Sequence, residues 1–396
     1  MLKVDTSNAT CPDGFAAHGV ACGTKASGAA DLALIVAEQP VPCAAMFTRN
    51  LVRAAPVEIS ARHLAASAGR VRAVIISSGC ANAATGAEGF RRAERAISAL
   101  AGRLGCPATS VLMNSTGVIG EQLPEEKIIA AIPEVVDDAK ADGLSRAARA
   151  MMTTDTRPKM VQVHGTHEGR TFRVAGIAKG SGMIHPNMAT MIALLLTDAA
   201  MDPPSLDRAM RCSVERSFHR ISVDGDTSTN DSVFALASGK AGQVPAEAVE
   251  QAMTAAAREL ALMIVKDGEG ASKLIHVQVK EARTPADALR VAQTVAGSML
   301  VRTAVAGGDP TWGRIIAAAG RSGVEIDPQQ LAVFANDVPL FANGAPVATP
   351  LSQQQRAFAQ PLVVLELRLG QGGAEDEFFT CDLTEGYVRI NSHYKT

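Results

Sequence analysis

Apolar positions recur along the chain on two different periods, and the switch between them marks its elements. Short runs rich in β-branched and aliphatic residues predict strands at Asp31–Val36, Val71–Ile76, Ile275–Val279 and Leu362–Leu367. Met191–Thr197 reads as a further short, fully buried element. Helical spacing takes over elsewhere. Phe90, Ile97, Leu100 and Leu104 share one face of a helix over residues 87–104, with Thr85 and Glu88 placed as a capping box ahead of it. Met253, Ala257, Leu260 and Ile264 predict another helix, and Thr284 followed by Pro285 opens a third that runs to about Leu300. Strands and helices mix without strict alternation, so the expected fold class is α/β (α+β), built in layers. Pro, Gly, Gln and polar residues make 140–170 and 336–360 the stretches expected to be least structured. The second of these supports a main domain over residues 1–279 and a smaller C-terminal α/β domain over 280–396.

Composition narrows the class. The 396 residues exceed one ordinary core, and 47% hydrophobic against 20% charged residues describe a globular chain. Lys plus Arg total 38 against 40 Asp plus Glu, with no basic run, and one Trp with two Tyr offers few platforms for stacking bases. Nucleic acid is therefore not an expected partner. Seven cysteines stand singly, with no Cys-x-x-Cys pair, which points to reduced thiols and away from a disulfide framework or a zinc site. The first residues lack the apolar segment of a signal peptide, and no apolar run approaches the roughly 18 residues of a membrane span. The expectation is a cytoplasmic protein with no membrane partner, no metal and no cofactor.

Several motifs fail on inspection. Gly268-Glu-Gly270 lacks the rest of a dinucleotide fingerprint or P-loop. Asp224-Gly-Asp226 through Asp231 lacks the glycine and glutamate of a calcium loop and reads as a solvated or hydrogen-bonded polar loop. His164 and His167 have no third ligand nearby, and no Gly-x-Ser-x-Gly occurs.

Other stretches carry chemistry. Lys179-Gly-Ser-Gly-Met-Ile-His-Pro-Asn-Met-Ala-Thr-Met191 puts Thr190 between a turn-forming loop and a buried strand. A Thr hydroxyl becomes a nucleophile when a base stands beside it, and its own α-amine serves once the Ala189-Thr190 bond is cut. Alone, the stretch equally describes a turn entering a core strand, with Thr190 there for β propensity. Thr116-Gly117 follows the apolar Val111-Leu-Met113, so a hydroxyl and an amide at a strand end can together receive an oxyanion, or simply make a turn. Thr153-Thr-Asp-Thr156 suits a polar substrate and a helix cap alike. Asp267-Gly-Glu269-Gly places a carboxylate for a cationic group, or an exposed hairpin with a solvated Glu.

These stretches, with Arg220-Ile-Ser-Val-Asp-Gly-Asp-Thr-Ser-Thr-Asn-Asp231, Gly308-Asp-Pro-Thr-Trp-Gly-Arg314 and Tyr387-Val-Arg-Ile-Asn391 through Thr396, follow the order seen in ornithine acetyltransferases. From about Gly14 to its last residue the chain resembles the ArgJ family of glutamate N-acetyltransferases. The resemblance implies a layered sandwich of the ArgJ/DmpA type, similar to N-terminal-nucleophile enzymes. It implies self-cleavage at Ala189-Thr190 into chains of 1–189 and 190–396, forming an α2β2 heterotetramer. Thr190 would carry acetyl from N2-acetyl-L-ornithine to L-glutamate by ping-pong kinetics, with acetyl-CoA as a possible second donor. Thr116 and Gly117 match the family's oxyanion hole. Thr153, Lys179, Thr190, Glu269, Asn391 and Thr396 match its substrate contacts, which requires the C-terminus to fold back over the site. Lys179 suits the substrate carboxylate and Glu269 an amino group. The chain departs from the pattern at Ser77 and Cys80, where asparagines are more usual, and at Gly307-Gly308. Ser77 and Cys80 bear on substrate choice if they line an acyl or acceptor pocket. The alternatives are an autoprocessed Thr amidohydrolase or aminopeptidase, a specialised-pathway relative with another acyl donor or acceptor, and a non-catalytic relative that only binds amino acids.

Overall fold

The computed structural model describes residues 2–185 and 191–393. Within them the chain divides into two compact units, one drawn from residues 1–219 and 226–264 and the other from 220–225 and 265–394. The second unit thus takes in the whole strand predicted at Ile275–Val279.

The first unit is organised by nine strands: β1 (Leu2–Asp5), β2 (Phe15–Val20), β3 (Leu32–Phe47), β4 (Arg70–Cys80), β5 (Val111–Val118), β6 (Lys159–His167), β7 (Arg170–Lys179), β8 (Ile192–Ala200) and β9 (Ser232–Gln243). They join in the order β1-β6-β7-β8-β9-β3-β4-β5, with β2 beside β3. The long β3 keeps β4 as a partner on both sides of a bulge between Val36 and Val41, and on its other edge exchanges β2 before the bulge for β9 after it. Both faces of β4 are buried at its centre, which is why Ala73-Val-Ile-Ile76 is an unbroken apolar run. Ala73 and Ile75 pack toward α2 (Gly86–Leu104) and α3 (Glu125–Asp137), while Val74 and Ile76 share a core with α4 (Leu144–Met151) and with Ile177, Leu194 and Phe234 of β7, β8 and β9. α1 (Ala55–Ala66) packs on β5, α5 (Pro203–Glu215) on β3 and β9, and α6 (Ala246–Lys266) follows β9 in sequence.

The second unit carries β10 (Leu274–Ala282), β11 (Ala332–Ala335), β12 (Val338–Ala342), β13 (Ala345–Pro346), β14 (Leu362–Arg368) and β15 (Ala374–Cys381) in the order β13-β12-β11-β14-β10-β15. Its helices are α7 (Pro285–Ala296), α8 (Met299–Gly307), α9 (Trp312–Gly320), α10 (Leu351–Phe358) and α11 (Glu385–His393). One apolar core joins β10, β14 and β15 to α7 and α9. The layered α/β class stands, and no helix of the described residues is long and apolar enough to cross a membrane.

Three local expectations change. The capping box does not form: Thr85 Oγ1 turns back to Asn82 Oδ1 at 2.8 Å, and Glu88 is taken by Arg91 and Arg92. The helix begun at Thr284 stops at Ala296, because Gly297-Ser298 interrupts it and the Ser298 hydroxyl caps α8 instead. The two stretches expected to be least structured hold α4, β6, β12, β13 and α10. Their polar residues are tight turns: Glu168-Gly169, Asn336-Asp337 and Asn343-Gly344 all have positive φ at both positions, the geometry of a two-residue hairpin loop.

Candidate active site

Thr116 and Gly117 lie at the end of β5, and the approach of β4 explains the glycine. Gly117 has φ +133°, and a Cβ there would stand 2.3 Å from the carbonyl carbon of Gly79, its register partner. The two backbones touch where a side chain has no room. Beneath this step a buried polar network holds the strand. Asn230 Nδ2 donates to the carbonyls of Ala81 (2.8 Å) and Ser115 (2.7 Å), and Asn114 Nδ2 donates to the Asn230 carbonyl at 2.9 Å and to Ser232 Oγ at 2.7 Å. The second half of the polar loop, Ser228 to Asp231, is thus hydrogen-bonded and buried, while Gly225, Asp226 and Thr227 ahead of it are exposed. Asp231 Oδ1 accepts the Met191 N–H at 2.9 Å and so fixes the residue that follows Thr190.

Lys179 closes β7 opposite Ile192 of β8 and is 3% exposed. Its Nζ donates to Thr116 Oγ1 at 3.2 Å. Asp155 gathers the rest. Its Oδ1 accepts from Lys159 Nζ at 2.6 Å and from the Gly180 N–H at 2.7 Å, and its Oδ2 accepts from the Thr153 N–H at 3.0 Å. Burial pushes the Asp155 carboxyl up, but Lys179, Lys159 and the Gly180 N–H outweigh it and hold the pKa at about 2. One carboxylate therefore ties the Thr153 turn to the residue after Lys179. Thr154 and Ser181 add a hydroxyl contact at 2.6 Å. Sequence reasoning passed over Lys159; the available signal was a lysine opening the alternating stretch Lys159-Met-Val-Gln-Val163, four residues after an aspartate. It also passed over Lys25, whose pKa burial lowers against the opposing pull of Asp31 and Asp155, and whose Nζ donates to the Ala30 carbonyl at 2.8 Å.

In the second unit Glu269 is 8% exposed, not a solvated hairpin residue. Its Oε2 accepts from Asn391 Nδ2 at 2.8 Å. Gly270 brings this about, since a Cβ there would stand 2.3 Å from the Tyr387 nitrogen at the start of α11. Thr384 Oγ1 locks the contact by donating to the Gly270 carbonyl at 2.6 Å. The structure therefore joins Thr116, Thr153 and Lys179 in one cluster and Glu269 with Asn391 in another. Ala189, Thr190 and Thr396 lie outside the described residues. Ser77 and Cys80 are both buried on β4, and the Cys80 thiol donates to the Glu121 carbonyl at 3.3 Å.

Residues 16–396 match the ArgJ family. The chain belongs to the ArgJ family. Members similar to it include the arginine biosynthesis bifunctional protein ArgJ of Parasynechococcus marenigrum, 46% identical across 98% of this chain and 95% of the relative. The ArgJ protein of Chlorobaculum tepidum is 43% identical across 97% of this chain and 96% of the relative. The crystal structure of the ArgJ protein of Bacillus halodurans is 36% identical, covers 51% of this chain and 98% of the solved one, and superposes with a TM-score of 0.49. The ArgJ match takes in every stretch built up above: the Thr116-Gly117 step, the Asp155 cluster, the Asn230 loop and the Glu269–Asn391 pair.

Proposed function

We propose that this chain is a glutamate N-acetyltransferase of arginine biosynthesis that moves acetyl from N2-acetyl-L-ornithine to L-glutamate. The match to ArgJ relatives over nearly the whole length of both chains carries the reading. In the proposed sequence of events the Ala189-Thr190 bond is cut first. The Thr190 hydroxyl then attacks the acetyl carbonyl carbon while its freed α-amine, with a reference pKa of about 7.7–8.0, takes the proton. The carbonyl electron pair moves to oxygen, received by the Thr116 hydroxyl and the Gly117 N–H. Collapse breaks the C–N bond, returns the proton to ornithine and leaves acetyl-Thr190, which the glutamate amine attacks in the second half-reaction.

The roles of Thr153, Lys179, Glu269, Asn391 and Thr396 as substrate contacts rest on their place in the family motifs. The burial of Lys179 and Glu269 supports theirs, because a carboxylate or amine is best recognised by partners kept from water. The layered α/β fold supports the nucleophile type expected from the ArgJ/DmpA resemblance. A cytoplasmic α2β2 enzyme without a cofactor, able to take acetyl-CoA as a second donor, completes the reading; the relatives are named bifunctional proteins.

Gel electrophoresis of the purified protein, with acetyl transfer from acetylornithine and from acetyl-CoA assayed separately, tests it. Thr190→Ala is expected to give one uncleaved 41.1 kDa band and no transfer. A wild-type protein that stays uncleaved, or that releases only free acetate, refutes the reading.

A further inference from the structure

The contact between Lys179 and Thr116 has a direction. An ammonium only donates, so Thr116 Oγ1 is the acceptor in the 3.2 Å bond. The hydroxyl hydrogen therefore points away from Lys179, and among the described residues the Thr116 hydroxyl donates to no protein acceptor. A hydroxyl that accepts from a cation is polarised into a stronger donor. Thr116 is also fixed in place, by the Asn114 and Asn230 network one and two residues before it.

Lys179 is held as firmly. Asp155 accepts the N–H of Gly180, the next residue, and the Lys159 ammonium sits on the same carboxylate oxygen at 2.6 Å. The Asp155 charge is thus shared with Lys159 and not spent on Lys179 alone. Lys25, the other cation that acts on this cluster, turns its ammonium onto the Ala30 carbonyl, and Asp31 receives the Cys22 and Lys25 N–H groups.

We infer that Lys179 is a positioning residue of the oxyanion device: it occupies the oxygen of Thr116, aims the hydroxyl hydrogen outward and strengthens it as a donor to the tetrahedral oxyanion, in addition to any contact with a substrate carboxylate. The inference rests on the proposed acetyl transfer. Lys179 gives up no proton in the step. The Thr190 Oγ–carbon bond forms, the carbonyl electron pair moves to the oxygen that Thr116 receives, and the leaving group departs on collapse.

An acetyl donor with no carboxylate separates the two roles. p-Nitrophenyl acetate can acetylate Thr190 and release p-nitrophenolate, yet offers Lys179 nothing to bind. In Lys179→Met the rates of acetylation from the ester and from acetylornithine are expected to fall by the same factor, on the order of 10- to 100-fold, below the loss of a whole oxyanion donor. Any rise in the KM for acetylornithine reports the separate contact with its carboxylate and comes in addition to that fall. Adding Thr116→Val should cause little further loss, because one residue acts through the other. Rates are expressed per free Thr190 amine, so incomplete cleavage does not enter them. Lys179→Gln, which keeps an N–H donor without the charge, is the second variant should Met prevent folding, and it is expected to slow the ester reaction by a smaller factor. An unchanged ester rate with a tenfold or greater rise in acetylornithine KM overturns the inference and leaves Lys179 as a carboxylate partner. A wild-type protein that forms no acetyl-Thr190 from either donor fails one step earlier, at the proposed function.

Discussion

Removing the Asp155 carboxylate charge should be among the most damaging single changes in the first unit, and the structure gives its size. Asp155 and Lys159 side chains are 0% and 1% exposed, with their charges 2.6 Å apart. Asp155→Asn keeps one oxygen, enough for either the Gly180 or the Thr153 N–H but not both, and leaves the Lys159 ammonium without its carboxylate. Breaking a buried pair from one side costs about 3–5 kcal/mol, because the remaining charge is still out of water. At about 2–4 °C per kcal/mol for a unit of this size, the thermal midpoint should drop by roughly 6–20 °C. The double variant Asp155→Asn, Lys159→Met removes both charges and should recover most of the loss. Acid supplies a second reading. The Asp155 carboxyl is lowered from 3.8 to about 2 in the folded protein, so its contribution is present above pH 3.8 and is lost as pH falls through about 2. The gap between wild type and Asp155→Asn should therefore narrow across that window. Urea denaturation followed by circular dichroism measures each term. A single variant within 1 kcal/mol of wild type, or a double variant as unstable as the two singles summed, would refute the reasoning.

Gly117→Ala forces a Cβ to 2.3 Å from the Gly79 backbone at a φ of +133°, so it should cost at least about 3 kcal/mol and abolish acetyl transfer; a soluble, active variant of wild-type stability would contradict the packing argument. Deleting residues 391–396 removes Asn391 from Glu269 while α11 contributes no buried residue. Transfer should fall by at least about tenfold with the thermal midpoint nearly unchanged, since exposed residues contribute little to stability, and full activity would rule out a role for the tail. Cys11, Cys43, Cys80 and Cys381 are buried, and burial raises each thiol, Cys11 to about 12 and Cys381 to about 11. A thiol-reactive dye at neutral pH should leave these four unmodified until denaturant is added, as mass spectrometry of peptides would show.

What the sequence revealed and what it hid have different physical origins. β4, β10, β14 and α2 were legible because their burial imposes a period on neighbouring residues, and the Thr284 cap because it acts within one turn. The hairpins at Glu168-Gly169 and Asn336-Asp337 were read as loops because the polar residues that make a two-residue turn also populate unstructured chain. The end of α7 was lost for the reverse reason: Ser298 serves the next helix, which periodicity does not distinguish from a continuation. At the site, Thr116-Gly117 and Lys179 were visible as motifs. Their hydrogen bond, across 63 positions of chain, was not, nor was the reach of Asn230 to Ser115 across 115. Asp155 stood in a recognised cluster, yet its work depends on Lys159, whose burial only the assembled sheet creates.

The strand order has a topological consequence for a chain cut between residues 189 and 190. In the sequence β7-β8-β9-β3, the inner pair would belong to the downstream fragment and both flanking strands to the upstream one. Lys179 would remain laddered to Ile192, and Ser232 to Phe47, across what had become two polypeptides. Such fragments are interleaved, not docked, and parting them means peeling open two hydrogen-bonded seams at once. Fragments produced separately would face the same barrier from the other side, since neither holds a contiguous half of the sheet to serve as a template. Order of events would then be written into the architecture: one continuous chain must weave the sheet before the cut, and afterwards the weave itself replaces the missing peptide bond.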